Sequence, residues 1–105
     1  MAYEIQRSSP RAYNVVEVDC YTLDETATPV AARMSDLSLT GAFLDCMGGL
    51  RPGTRLALRF KVGGQEVQAT AEVVHQMPQF GMGVRFLELS PGARAAIESL
   101  LKEQA

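Results

Sequence analysis

The chain has little of what catalysis or metal binding requires. Of its 105 residues only one is histidine and two are cysteine. His75 stands alone at the end of a strand-like segment, where a lone imidazole is more often structural or exposed than catalytic. Cys20 and Cys46 lack C-x-x-C spacing and have only His75 to join them, so no zinc cluster is expected. The sequence leaves a disulfide open, and the absence of an export signal favours two reduced, buried thiols. No P-loop, dinucleotide fingerprint or convincing Ser/His/Asp order occurs. No apolar run is long enough to span a bilayer. Met1 to Pro10 is polar and has no signal-peptide core. A dominant charge is missing too: the formal net charge is -2. General attraction to nucleic-acid polymers or anionic lipid is therefore not expected. Internal repeats and low-complexity tracts are absent. Together these absences predict a soluble cytoplasmic protein that is not an enzyme, needs no cofactor and does not insert into membranes.

What is present is alternation. The length fits one domain, and a hydrophobic fraction of 47% is enough for a single core without disulfides or metal. Tyr13 to Thr22 reads as a strand, with Val16, Val18 and Cys20 alternating with Glu17 and Asp19. A turn over Leu23 to Pro29 leads to a second strand, Val30 to Leu39. Ala42 to Leu44 forms a third. Thr54 to Val62 alternates most clearly: Leu56, Leu58, Phe60 and Val62 on one face, Arg55, Arg59 and Lys61 on the other. Gly63-Gly64 signals a two-residue hairpin, and Gln65 to His75 returns. Phe80 to Leu89 is the last strand. Ser90-Pro91-Gly92 reads as a helix start, with Ser90 as the capping residue. The helix extends to about Lys102 with Ala93, Ala96, Ile97, Leu100 and Leu101 as its apolar stripe. Closely spaced strands followed by one helix predict an all-β, antiparallel barrel with a C-terminal helix.

Two segments hold the chemistry. Asp36-Leu37-Ser38-Leu39-Thr40-Gly41 sets a carboxylate, a hydroxyl and a glycine at D-x-S-x-x-G spacing. On a strand, Asp36, Ser38 and Thr40 would share one face and Leu37 and Leu39 the other. Gly41 would leave room for a ligand or another backbone. Such a set could read a polar ring edge and a phosphate; the plainer reading is a half-buried strand entering a turn. Arg7-Ser8-Ser9-Pro10-Arg11 displays two arginines on a stretch stiffened by Pro10. The stretch lies in an N-terminal arm, residues 1–12, expected to be flexible, ahead of a barrel domain over residues 13–105. Arg55, Arg59 and Lys61 could extend a basic face, but a solvated strand face is the simpler expectation. Phe43 and Phe80 could stack on a base, with core packing as the default.

Arg-x-x-x-Arg, strand, turn, strand, then Asp-x-Ser-x-x-Gly: in this order the chain resembles the PilZ domain family over nearly its whole length. Gly83-Val84-Arg85-Phe86-Leu87-Glu88-Leu89-Ser90 is similar to that family's last strand and entry to its helix. The resemblance implies a six-stranded barrel that binds the bacterial second messenger cyclic di-GMP through Arg7, Arg11, Asp36, Ser38 and Gly41. Arginine suits both guanine and phosphate, offering a planar fork to either. The resemblance gives Asp36 the guanine N1–H and N2–H edge, and Ser38 can donate to phosphate. The expected function is that of a cyclic di-GMP receptor acting on an unidentified downstream protein, the ligand ordering the arm onto the barrel. The alternative is an adaptor with the same barrel and little or no nucleotide binding.

Overall fold

The computed structural model describes residues 16–104. Arg7 and Arg11, the whole arm, and Tyr13 to Val15 of the expected first strand lie outside the described residues. In chain order the elements are β1 (Val16–Thr22), β2 (Pro29–Val30), β3 (Arg33–Leu37), β4 (Gly41–Asp45), β5 (Arg55–Val62), β6 (Gln65–Met77), β7 (Gly81–Leu89) and α1 (Ala93–Gln104). Six strands form a closed antiparallel barrel in the order β1-β3-β4-β7-β6-β5, because β1 pairs with β3 along one side and with β5 along the other. Closure leaves no long free edge. β2 is a spur of two residues set against Cys20 and Tyr21.

The alternation written into β5 is its burial pattern: Leu56, Leu58, Phe60 and Val62 are buried, while Arg55, Arg59 and Lys61 are exposed. Gly63 and Gly64 both have positive φ (57° and 83°), which a primed hairpin turn requires. They bring Val62 opposite Gln65. The outward row on β5 is a solvated face with acidic neighbours. Arg59 lies 3.2 Å from Asp19 and Arg55 3.9 Å from Glu72, and Lys61 pairs in register with Glu66.

The core runs through the barrel and includes Met34, Leu44, Leu56, Val67, Val73 and Met82 together with Ala93, Ile97 and Leu101 of the helix. A twelve-residue helix is marginal alone. Here its apolar stripe docks against β5 and β6. Phe60 and Phe86 stack within the core with ring centroids 6.5 Å apart. Cys20 is buried, Cys46 is partly buried, and both are free thiols. Burial, and then the neighbouring Cys46, push the Cys20 thiol up to about 11.

Four expectations differ. The second strand is broken: β2 ends at Val30, β3 starts at Arg33, and β3 stops at Leu37 rather than Leu39. Ser90 does not cap the helix with its side chain. Its hydroxyl accepts the Gln68 N–H at 3.0 Å, and its own N–H goes to the Gln68 carbonyl, so it prolongs the β6–β7 ladder. Pro91 and Gly92 turn the chain before α1 begins at Ala93. Phe43 is half-buried and Phe80 is 64% exposed; neither is core.

Candidate functional site

The D-x-S-x-x-G segment is the end of β3, a turn of three residues, Ser38, Leu39 and Thr40, and the start of β4. β3 carries an irregularity between Met34 and Asp36. Met34 faces inward opposite Leu44. After the extra residue, Leu37 faces inward opposite Ala42 and Asp36 stands opposite Phe43 on the outer face. The bulge is what aims Asp36 outward. Strict alternation from Met34 would have turned Asp36 into the core. The row continues across the sheet, Phe43 opposite Gly83 and Gly83 opposite His75. Asp36, Phe43, Gly83 and His75 thus occupy neighbouring register positions on four strands.

Ser38 does not share that face. It lies in the turn with no exposed surface, and its hydroxyl is the hub of the turn. Thr40 and Gly41 N–H both donate to it at 3.3 Å, it approaches the Thr40 hydroxyl at 3.3 Å, and it lies 3.3 Å from the Gly41 carbonyl. The Ser38 N–H donates to the Gly41 carbonyl at 2.9 Å. Leu39 and Thr40 form the tip. Gly41 is required by close approach of backbone: a Cβ there would collide with the Val84 carbonyl oxygen of β7.

Among the described residues, Asp36 and Ser38 are the buried polar side chains, 4% and 0% exposed, Asp36 on the outer register face and Ser38 inside the turn. Buried polar groups in such a setting mark a place where the fold serves something besides packing. The structure brings Asp36, Ser38 and Gly41 together on one hairpin. Arg7 and Arg11 lie outside the described residues, yet the chain enters the barrel beside this hairpin: Val16 pairs with Met34, two positions before Asp36. Arg11 precedes Val16 by five residues in the sequence.

One neighbour of the motif went unweighed in the sequence. Arg85 on β7 is the register partner of Gly41, and the next N–H, of Phe86, bonds the Thr40 carbonyl at 2.9 Å. The Arg85 guanidinium lies 3.6 Å from Glu72, whose carboxylate also faces Arg55. Pairing between β4 and β7 creates this neighbourhood, and no local pattern announces it. Among the described residues, no group of three His, Cys, Asp or Glu side chains could hold a metal ion.

The architecture is a closed antiparallel barrel with a C-terminal helix and a polar hairpin in its wall. The comparisons name the class. The model of the PilZ domain matches residues 5–103, and the chain belongs to the PilZ domain family, whose members are receptor and adaptor domains. Among solved structures, the Bacillus subtilis inhibitor of motility (MotI/DgrA) is similar, with a TM-score of 0.68 and 17% identity. The match covers 94% of this chain and 51% of that one. The likeness is one of fold, and the chain spans about half the length of that protein. No curated protein matches. Among the described residues no helix is long and apolar enough to cross a membrane.

Proposed function

We propose that the protein is a non-enzymatic receptor for cyclic di-GMP in the cytoplasm of a bacterium. The observation that carries the reading is the burial of Asp36 and Ser38, polar side chains on the β3–β4 hairpin; β3 pairs with β1, the first described strand after Arg7 and Arg11 in the sequence. In this reading Asp36 accepts from the guanine edge. Arg7 and Arg11 fork onto guanine and phosphate. Ser38 and Gly41 hold the turn in shape against β7, and the Thr40 backbone and hydroxyl sit at the turn tip. The nucleotide draws the arm against the barrel wall, and that rearrangement alters a contact with a downstream protein. No cofactor takes part.

The second reading is an adaptor that works by protein contact alone. The exposed apolar side chains of Met47 and Phe80 favour it. Their loops are joined at the backbone, where the Cys46 N–H donates to the Phe80 carbonyl. Calorimetric titration with cyclic di-GMP decides between the two. Saturable binding with defined stoichiometry supports the receptor; absence of heat at millimolar ligand leaves the adaptor.

A further inference from the structure

The wall next to the motif hairpin carries more positive charge than it needs for itself. Glu72 on β6 is shared by two guanidiniums, Arg85 at 3.6 Å and Arg55 at 3.9 Å. A well-formed charged hydrogen bond is about 2.7–2.9 Å, so both contacts are loose. The Arg85 side chain is 56% exposed and that of Glu72 26%. Two cations on one carboxylate leave one positive charge in excess, on a row that runs Gly41, Arg85, Glu72, Arg55 across four strands.

Arg85 also borders a groove of about 510 Å³ whose lining includes Leu39 and Thr40 of the turn tip, Glu88 and Arg94. That volume falls within the usual range for small-ligand sites. Gly41 lets β4 pack directly on the β7 backbone at Val84 and Arg85, which sets Arg85 beside the hairpin. The strand β7 beneath is held to the turn by the Phe86 bond to Thr40, so the cation is carried on a rigid element rather than on a loop.

We infer that Arg85 is a third arginine of the ligand site, parked on Glu72 in the free protein and transferred to a phosphate of the bound nucleotide. This rests on the receptor reading above and extends it. The exchange replaces a loose, solvent-screened ion pair with a forked contact to a phosphate. Glu72 stays neutralised by Arg55. The carboxylate therefore acts as a competitor for the ligand, and removing its charge strengthens binding.

The test is calorimetric titration of cyclic di-GMP into the full chain and its Arg85→Ala, Arg85→Lys, Glu72→Gln and Arg85→Ala/Glu72→Gln variants, with thermal melting of each free protein. Both side chains are exposed enough that the variants are expected to melt close to the parent. Arg85→Ala is expected to weaken binding about tenfold or more, the range for a hydrogen bond to a charged group. Arg85→Lys recovers part of the loss, since lysine keeps the charge without the fork. Glu72→Gln is expected to tighten binding several-fold, and to have no effect once Arg85 is alanine. A purely structural ion pair behaves otherwise: both single variants then weaken binding or both leave it unchanged, and either result overturns the inference while the receptor reading stands. If the parent protein binds no cyclic di-GMP, both fall together.

Discussion

Asp36 and Ser38 are two residues apart and do different work. Asp36 is turned to the outer register face by the bulge before it, opposite Phe43, yet is buried; in the proposed receptor reading its carboxylate accepts from the base edge. Replacing it by alanine is expected to lower affinity for cyclic di-GMP more than for cyclic di-AMP, because adenine presents a different edge; asparagine is expected to be milder. Titration of both nucleotides against the two variants measures this, and equal losses for both ligands would show that Asp36 does not read the base. Ser38, by contrast, accepts the Thr40 and Gly41 N–H groups from inside the turn. Ser38→Ala leaves the buried Gly41 donor without that acceptor, so the free protein is expected to lose about 1–3 kcal/mol of stability. Urea unfolding in the absence of nucleotide checks it, and an unchanged midpoint would return Ser38 to a role in ligand contact alone.

At the scale of elements, the β1–β2 turn is organised by one carboxylate. Asp24 accepts from the Thr26 hydroxyl at 2.6 Å, from the Thr22 hydroxyl at 2.9 Å, and from the Thr26 and Ala27 N–H groups at 3.0 Å. These bonds, the Thr26 hydroxyl first and then Thr22, hold its pKa below the ordinary carboxylate value. A carboxylate depressed in the folded state stabilises the fold above its unfolded pKa, and the contribution is lost as pH falls through the lower folded value. Below about pH 4, the ordinary aspartate range, Asp24→Asn is therefore expected to unfold with less pH dependence than the parent, while at pH 7 it is the less stable of the two. Thermal melts across pH 2.5–7 compare them, and parallel curves would remove Asp24 from the acid response. The β3–β4 hairpin follows the same logic of a side chain satisfying a turn, with Ser38 in place of Asp24, but there the turn is buried and adjoins the site.

At the scale of the whole molecule, in the proposed receptor reading the nucleotide draws the segment carrying Arg7 and Arg11 against the barrel. Arg11→Ala is expected to weaken cyclic di-GMP binding by roughly 1.5–3 kcal/mol, the range for a hydrogen bond to a charged group. Amide hydrogen exchange over residues 2–12, with and without nucleotide, tests the rearrangement itself. Protection that arises only with ligand supports an order-on-binding switch. Equal exchange in both states would rule it out, even if the nucleotide binds.

The sequence by itself determined the inward face of β5 and of the helix, and which motif the chain carries. Period-two alternation on β5, two adjacent glycines at the β5–β6 turn and the Ala93–Leu101 stripe are local patterns, and local patterns decide faces. The order of Asp36, Ser38 and Gly41 was likewise legible as the signature of a family. Only the tertiary structure decided what those residues touch. The bulge that turns Asp36 outward depends on how β3 pairs with β4, and the burial of Ser38 depends on where β3 stops. The hydroxyl of Ser90, suited by its type to cap α1, is taken by Gln68 from β6. Arg85 becomes a neighbour of Gly41 only because β4 and β7 are adjacent in the closed sheet. Each of these is a matter of register between segments distant in sequence. Register is set by barrel closure and the packing of the shared core, which no window of neighbouring residues contains.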